Sequence, residues 1–126
     1  MDLSHLPNLH VFAISARIGS QELVVLRDIK VVLSTIPKAN LVTKLSLDFT
    51  INYPYSRCLE EDWDGMCHEV VRISAGKPLE FNLRMTTSPS QILIRAKLHE
   101  AIKEKIAPLS NYTNISTDFW LRDMIS

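Results

Sequence analysis

Runs of alternating apolar and polar residues recur along this chain at spacings of 33 and 34 positions, and an amphipathic stretch follows each run. Phe12 and Ile14 return 33 positions later as Leu45 and Leu47. Leu79, Phe81 and Leu83 then stand 34 positions after Leu45, Leu47 and Phe49. Alternation with period two sends one set of side chains to one face of a strand, and a following apolar period near 3.6 marks a helix packed on that face. Repetition at this length is the mark of stacked units that share one core, and such units usually bind rather than catalyse.

The pattern divides a single domain, residues 1–126, into units at about 3–37, 38–77 and 78–109, with 110–126 as a C-terminal cap or tail. In the first unit Phe12 and Ile14 alternate with Val11, Ala13 and Ser15. Gly19-Ser20 breaks the strand, and Leu23, Leu26, Ile29, Leu33 and Ile36 trace a helix that Pro37 ends. In the second unit Leu45, Leu47, Phe49 and Ile51 alternate with Lys44, Ser46, Asp48 and Thr50. A turn over residues 52–56 leads to a helix through Leu59, Trp63, Met66, Val70 and Ile73. Glu60, Glu61, Asp62 and Asp64 fall in its first turns, where acids complement the helix dipole, and Gly76 and Pro78 close it. In the third unit Leu79, Phe81, Leu83 and Met85 precede a polar loop. A helix through Ile94, Leu98, Ala101, Ile102 and Ile106 follows, and Pro108 stops it. A short fourth strand is expected near residues 112–116, with Phe119, Trp120, Leu121, Met124 and Ile125 closing the end of the stack.

Strands joined by helices of this length must run parallel. A sheet covered on both faces needs near-continuous apolar strands. Here the off-face positions are Lys44, Ser46, Asp48 and Thr50, then Glu80, Asn82 and Arg84. One face therefore reads as solvated. The expected fold is α/β, three to four βα repeats with a parallel sheet in a short leucine-rich-repeat-like solenoid. The alternative is a compact three-layer doubly wound α/β domain.

Three segments carry a family likeness: the spaced apolar residues over 6–14, Leu33-Ser-Thr-Ile-Pro37 ahead of Leu41 and Leu45-x-Leu47, and Trp63-x-x-Met66 ahead of Pro78-Leu79-x-Phe81-x-Leu83. In these the chain resembles the leucine-rich-repeat-like region of F-box-type proteins from mushroom-forming fungi, over roughly residues 3–109. The resemblance implies a repeat scaffold that binds protein. It departs from the family in having no F-box helix bundle ahead of the repeats and from standard leucine-rich repeats in lacking the asparagine ladder. It bears on fold more than on ubiquitin ligation.

The chemistry that the residues exclude narrows the function further. Fourteen basic and fourteen acidic residues leave no net charge, so no basic stripe points to nucleic acid or an anionic membrane. No apolar run approaches the roughly 18 to 20 residues that span a bilayer. No basic and apolar leader opens the sequence, which points to an intracellular, cytoplasmic protein. The three glycines, Gly19, Gly65 and Gly76, form no phosphate-binding loop, and there is no G-x-S-x-G elbow, so no cofactor and no catalytic residue is expected. Cys58 and Cys67, nine positions apart in one helical segment, would lie about 13 Å apart along its axis as reduced, partly buried thiols. Adjacent Cys67 and His68 diverge on a helix, so no metal site is expected. The alternative function is a small α/β enzyme whose Cys67 thiol is the nucleophile, which would need a histidine, His99 or His10, brought to it from another element.

What remains is the outward row of the strands. Arg17, Lys44, Asp48, Glu80, Asn82 and Arg84 are the candidate contacts of a non-catalytic module that presents a polar sheet to a protein partner. Matching the repeats by their spacing places Ser15, Asp48 and Asn82 in one row and Arg17, Thr50 and Arg84 in the next. A further alternative is a fragment of a longer repeat protein that self-associates, its open repeat ends allowing a homodimer. Asn111-Tyr-Thr and Asn114-Ile-Ser are glycosylation sequons.

Overall fold

Four strands pair side by side in chain order, β1 (Val11–Ile18), β2 (Lys44–Ile51), β3 (Leu79–Thr87) and β4 (Ile115–Asp123), and every pairing is parallel. The computed structural model describes residues 3, 8–18, 25–37, 39–51, 56–87 and 92–123. Between the strands lie α1 (Val25–Ser34), the single turn α2 (Ser56–Leu59), α3 (Trp63–Ser74) and α4 (Ile92–Ile106), which runs into a 3-10 turn, Ala107–Asn111. Helix α1 packs on α3 and α3 on α4, so the helices form one layer in the same order as the strands. The strand order never reverses, as a doubly wound sheet would require. This is a βα-repeat α/β fold.

The core lies between the layers. Leu45, Leu47, Phe49, Phe81, Leu83 and Met85 meet Leu26, Leu33, Trp63, Met66, Ile73 and Ile102 there, all essentially without solvent contact. Each such side chain contributes roughly 1.5–3 kcal/mol by burial. Trp63 sets its ring edge-on to Phe49 at 6.5 Å, and its indole N–H donates to the Cys58 carbonyl at 2.8 Å. The second helix expected from the sequence is in fact two. Asp62 interrupts it by accepting a hydrogen bond from the Gly65 N–H at 3.0 Å, which starts α3 afresh. Gly65 lets the Asp62 carboxylate fold closely over it, and a Cβ there would push that cap aside.

The spacing of the repeats also needs correction. Val11 pairs with Lys44, 33 positions on, as expected. Lys44, however, pairs with Glu80, 36 positions on, and Leu79 with Ile115, again 36. The match at 34 is two residues short. A slip of two keeps each side chain on its face, so alternation cannot detect it. The fourth strand covers nine residues rather than a short piece near 112–116. Phe119 and Leu121 pack against the core from the edge strand, and Trp120 lies on the opposite face of the sheet. Leu6, the Gly19-Ser20 break, Leu23, the turn at residues 52–55, the loop at 88–90, Met124 and Ile125 lie outside the described residues.

Helix α1 is held at both ends by one neighbouring segment. Glu61, just ahead of α3, accepts a hydrogen bond from the Leu26 N–H at 2.7 Å at the start of α1. Arg72, in the last turn of α3, donates to the Leu33 and Ile36 carbonyls, both at 2.9 Å, and to Glu69 at 2.7 Å. An acid thus meets the positive end of α1 and a base its negative end. Lys30 and Asp62 add an exposed ion pair at 3.4 Å, of small value.

Replacing Glu61 by Ala should cost about 1–3 kcal/mol, since the Leu26 N–H is left buried without its acceptor. Arg72→Met should cost a similar amount by freeing two helix-end carbonyls. Denaturant unfolding measures both, and a loss under about 0.5 kcal/mol in both variants would refute the double clamp.

Candidate functional site

The face of the sheet away from the helices is open, and the observed pairing defines its rows. One row runs Ala13, Ser46, Asn82, Asp118. The next is Ser15, Asp48, Arg84, Trp120, and the last is Arg17, Thr50, Thr86, Arg122. The rows expected from the sequence therefore change on β3: Asp48 faces Arg84 rather than Asn82, and Thr50 faces Thr86 rather than Arg84.

All six residues expected to make contacts lie on this face. Arg17, Asp48, Glu80 and Arg84 are exposed and Lys44 is half-buried. Asn82 is the exception, with only 4% of its surface accessible. It is a short side chain in a central strand, flanked by Ser46 and Asp118 in its row and by Glu80 and Arg84 along β3. It forms part of the floor of the surface and offers a partner almost no area.

The structure adds Trp120 and Arg122, which sequence reasoning assigned to an end cap or left in the tail. The Arg122 guanidinium sits 4.6 Å from the Trp120 ring centroid, and that of Arg84 sits 5.9 Å away. Both lie within the range at which a cation is drawn to an aromatic face. Trp and Arg are the residue types that most often dominate interface energies. A signal for them exists in the sequence: Phe119 and Leu121 alternate with Asp118, Trp120 and Arg122 as a half-buried strand should.

The two cysteines are free and buried. Burial, and secondarily the Glu61 charge, pushes the Cys58 thiol up to about 12. Burial, with a lesser push from Asp64, raises Cys67 to about 11. The Cys67 thiol donates to the Lys105 carbonyl at 3.6 Å. His99 instead stacks on Phe119 at 4.9 Å. A thiol so placed stays protonated at neutral pH and is a poor nucleophile. Among the described residues no group of three or more His, Cys, Asp or Glu side chains is arranged to hold a metal ion, and no helix is long and apolar enough to cross a membrane.

The sequons differ in setting. Asn111 is exposed at the end of the 3-10 turn. Asn114 is half-buried, and its side-chain amide donates to the Lys77 carbonyl at 2.9 Å, so the nitrogen a glycan would occupy already ties β4 to the neighbouring unit. Each end of the stack carries a shallow apolar depression. One of about 250 Å³, between β1 and α1, is lined by Ile14, Ala16, Val25 and Val32. The other, of about 480 Å³, lies beside β4, where Ile106, Ala107 and Phe119 line it together with the polar His99, Lys103 and Asp118. No family model, no curated protein and no solved structure matches this chain.

The raised thiols predict a pH dependence. Their folded-state values exceed the ordinary 9.0, so the stability they confer is fully present below pH 9.0 and is lost as pH rises toward the folded-state values, because the unfolded chain releases those protons first. Unfolding measured between about pH 8 and 11 should show an alkaline loss that is reduced in a Cys58→Ala, Cys67→Ala variant. Identical slopes in both proteins would refute the assignment.

Proposed function

We propose that this protein is a non-catalytic interaction module that presents the open polar face of its sheet to a protein partner. The observation that carries this reading is the Arg84–Trp120–Arg122 cluster, an indole flanked by two guanidiniums on a sheet face that no helix covers among the described residues. Trp120 supplies area for a partner to bury, and Arg17, Lys44, Asp48, Glu80 and Arg84 supply charged contacts around it. Such polar contacts add register and specificity more than affinity. Repeat scaffolds commonly bind through a surface of this kind. The likeness to the leucine-rich-repeat-like region of fungal F-box-type proteins fits an adaptor role, and the absence of a membrane-spanning helix among the described residues fits work in the cytoplasm.

Exchanging the facing charges, Asp48→Arg with Arg84→Glu, should abolish capture of the partner and leave the circular dichroism spectrum and melting temperature unchanged. Undiminished capture by the folded variant refutes the reading. The apolar depressions at the two ends support a second contact, between copies of the chain through open repeat ends. Sedimentation at two concentrations a hundredfold apart should then show a rising mean mass; a constant monomer mass refutes it.

A further inference from the structure

We infer that the segment bound on this face is acidic, an extended stretch of polypeptide lying across the strands with carboxylates against Arg17, Arg84 and Arg122 and an apolar side chain on Trp120. The inference rests on the face being the interface and adds the chemistry of what it takes. Charge is divided unevenly over the surface. The two rows at the C-terminal ends of the strands hold Arg17, Arg84 and Arg122 against Asp48 alone. The two rows at the other end hold Glu80 and Asp118 against Lys44. Arg17, Arg84 and Arg122 are exposed, and no ion pair joins any of them to a carboxylate among the described residues. Two of the three converge on one indole, a concentration of like charge that an anionic partner would relieve. Guanidinium forks match carboxylates bidentately.

Geometry sets the length of the segment. Arg17 and Arg122 stand on the outer strands of one row, three strand spacings apart. That is about 14 Å at the usual 4.8 Å between strands, which four to five extended residues cover. Thr50 and Thr86 lie between them in the same row and are half-buried, so they can bond the backbone of a crossing segment. A long polyanion such as RNA fits less well, because Glu80 and Asp118 on the adjoining rows would repel phosphates running beyond the arginine corner.

Fluorescence anisotropy with a labelled peptide of about ten residues, alternating Glu and Ser around one Phe, tests this. The peptide should bind saturably, and raising salt from about 50 to 300 mM should weaken it several-fold. Arg84→Gln with Arg122→Gln should weaken it at least about tenfold, and Arg17→Gln, on the opposite edge strand, several-fold on its own, so the proposal remains testable if the double variant unfolds. Asp118→Asn, on the adjoining row and outside the proposed contacts, should leave it within about twofold or tighten it. No saturable binding, equal binding of the same peptide with Lys for Glu, tighter binding of an oligouridylate of equal length, or equal loss in the Asp118 variant would each overturn the proposal. If the peptide fails while the Asp48 and Arg84 charge exchange still abolishes partner capture, the face remains the interface and only the acidic chemistry is wrong.

Discussion

Helix α1 lies parallel to α3, and that arrangement puts like ends of two helix dipoles side by side. The clamp supplied by Glu61 and Arg72 offsets this. Glu61 and Arg72 are eleven positions apart, a span of about 16 Å along a helix, and α1 with ten residues is about 15 Å long. The two charged groups therefore reach both ends of α1 at once, each toward the dipole end of opposite sign. Orphan backbone groups at the ends of a packed helix must find partners somewhere. Here they find them in the next repeat, so the first unit is completed by the second. The spacing of the helix layer, and with it the seating of β1 and β2 on a shared core, follows from that contact.

Because the helices are joined in series on one side, nothing in the repeat plan requires cover on the other. The result is a sheet with an apolar face built from Leu45, Leu47, Phe49, Phe81, Leu83 and Met85 and a polar face beginning one residue away on each strand. Isolated charges on such a face are ordinary. A tryptophan there is not: Trp120 is half-buried with two guanidiniums over its ring, and the rest of the indole stays open to a partner. That cluster, rather than the charged rows alone, is what gives the surface a focus. The cysteines, by contrast, belong to the packing: burial holds both thiols well above neutral pH, and the Cys67 thiol donates to the Lys105 carbonyl.

Much of the fold was legible from residue patterns. Alternation in Leu45–Ile51 and again from Leu79 identified the faces, and Leu26, Ile29, Leu33 and Ile36 identified the buried stripe of α1. The polar off-face residues pointed to one-sided cover before any strand order was known. The site was legible only in part. Five of the six expected contact residues reach solvent on the open face, but Asn82 does not, and Trp120 was placed at an end it does not close.

The reason lies in what each kind of signal can resolve. Periodicity along a strand reports which face a side chain takes, a property of the local backbone, and by itself it determined the three βα units, most of their core residues and the polar surface. Register between strands is a property of pairs, and a shift of two residues leaves every local pattern intact. Only the tertiary structure decided that Lys44 pairs with Glu80, that Arg84 therefore stands between Asp48 and Trp120, and that Arg122 completes the cluster. The same holds for Glu61, whose place among acids near the start of a helix reads as support for its own helix. Its carboxylate instead caps α1, 35 positions earlier, because packing brings that unpaired N–H within its reach.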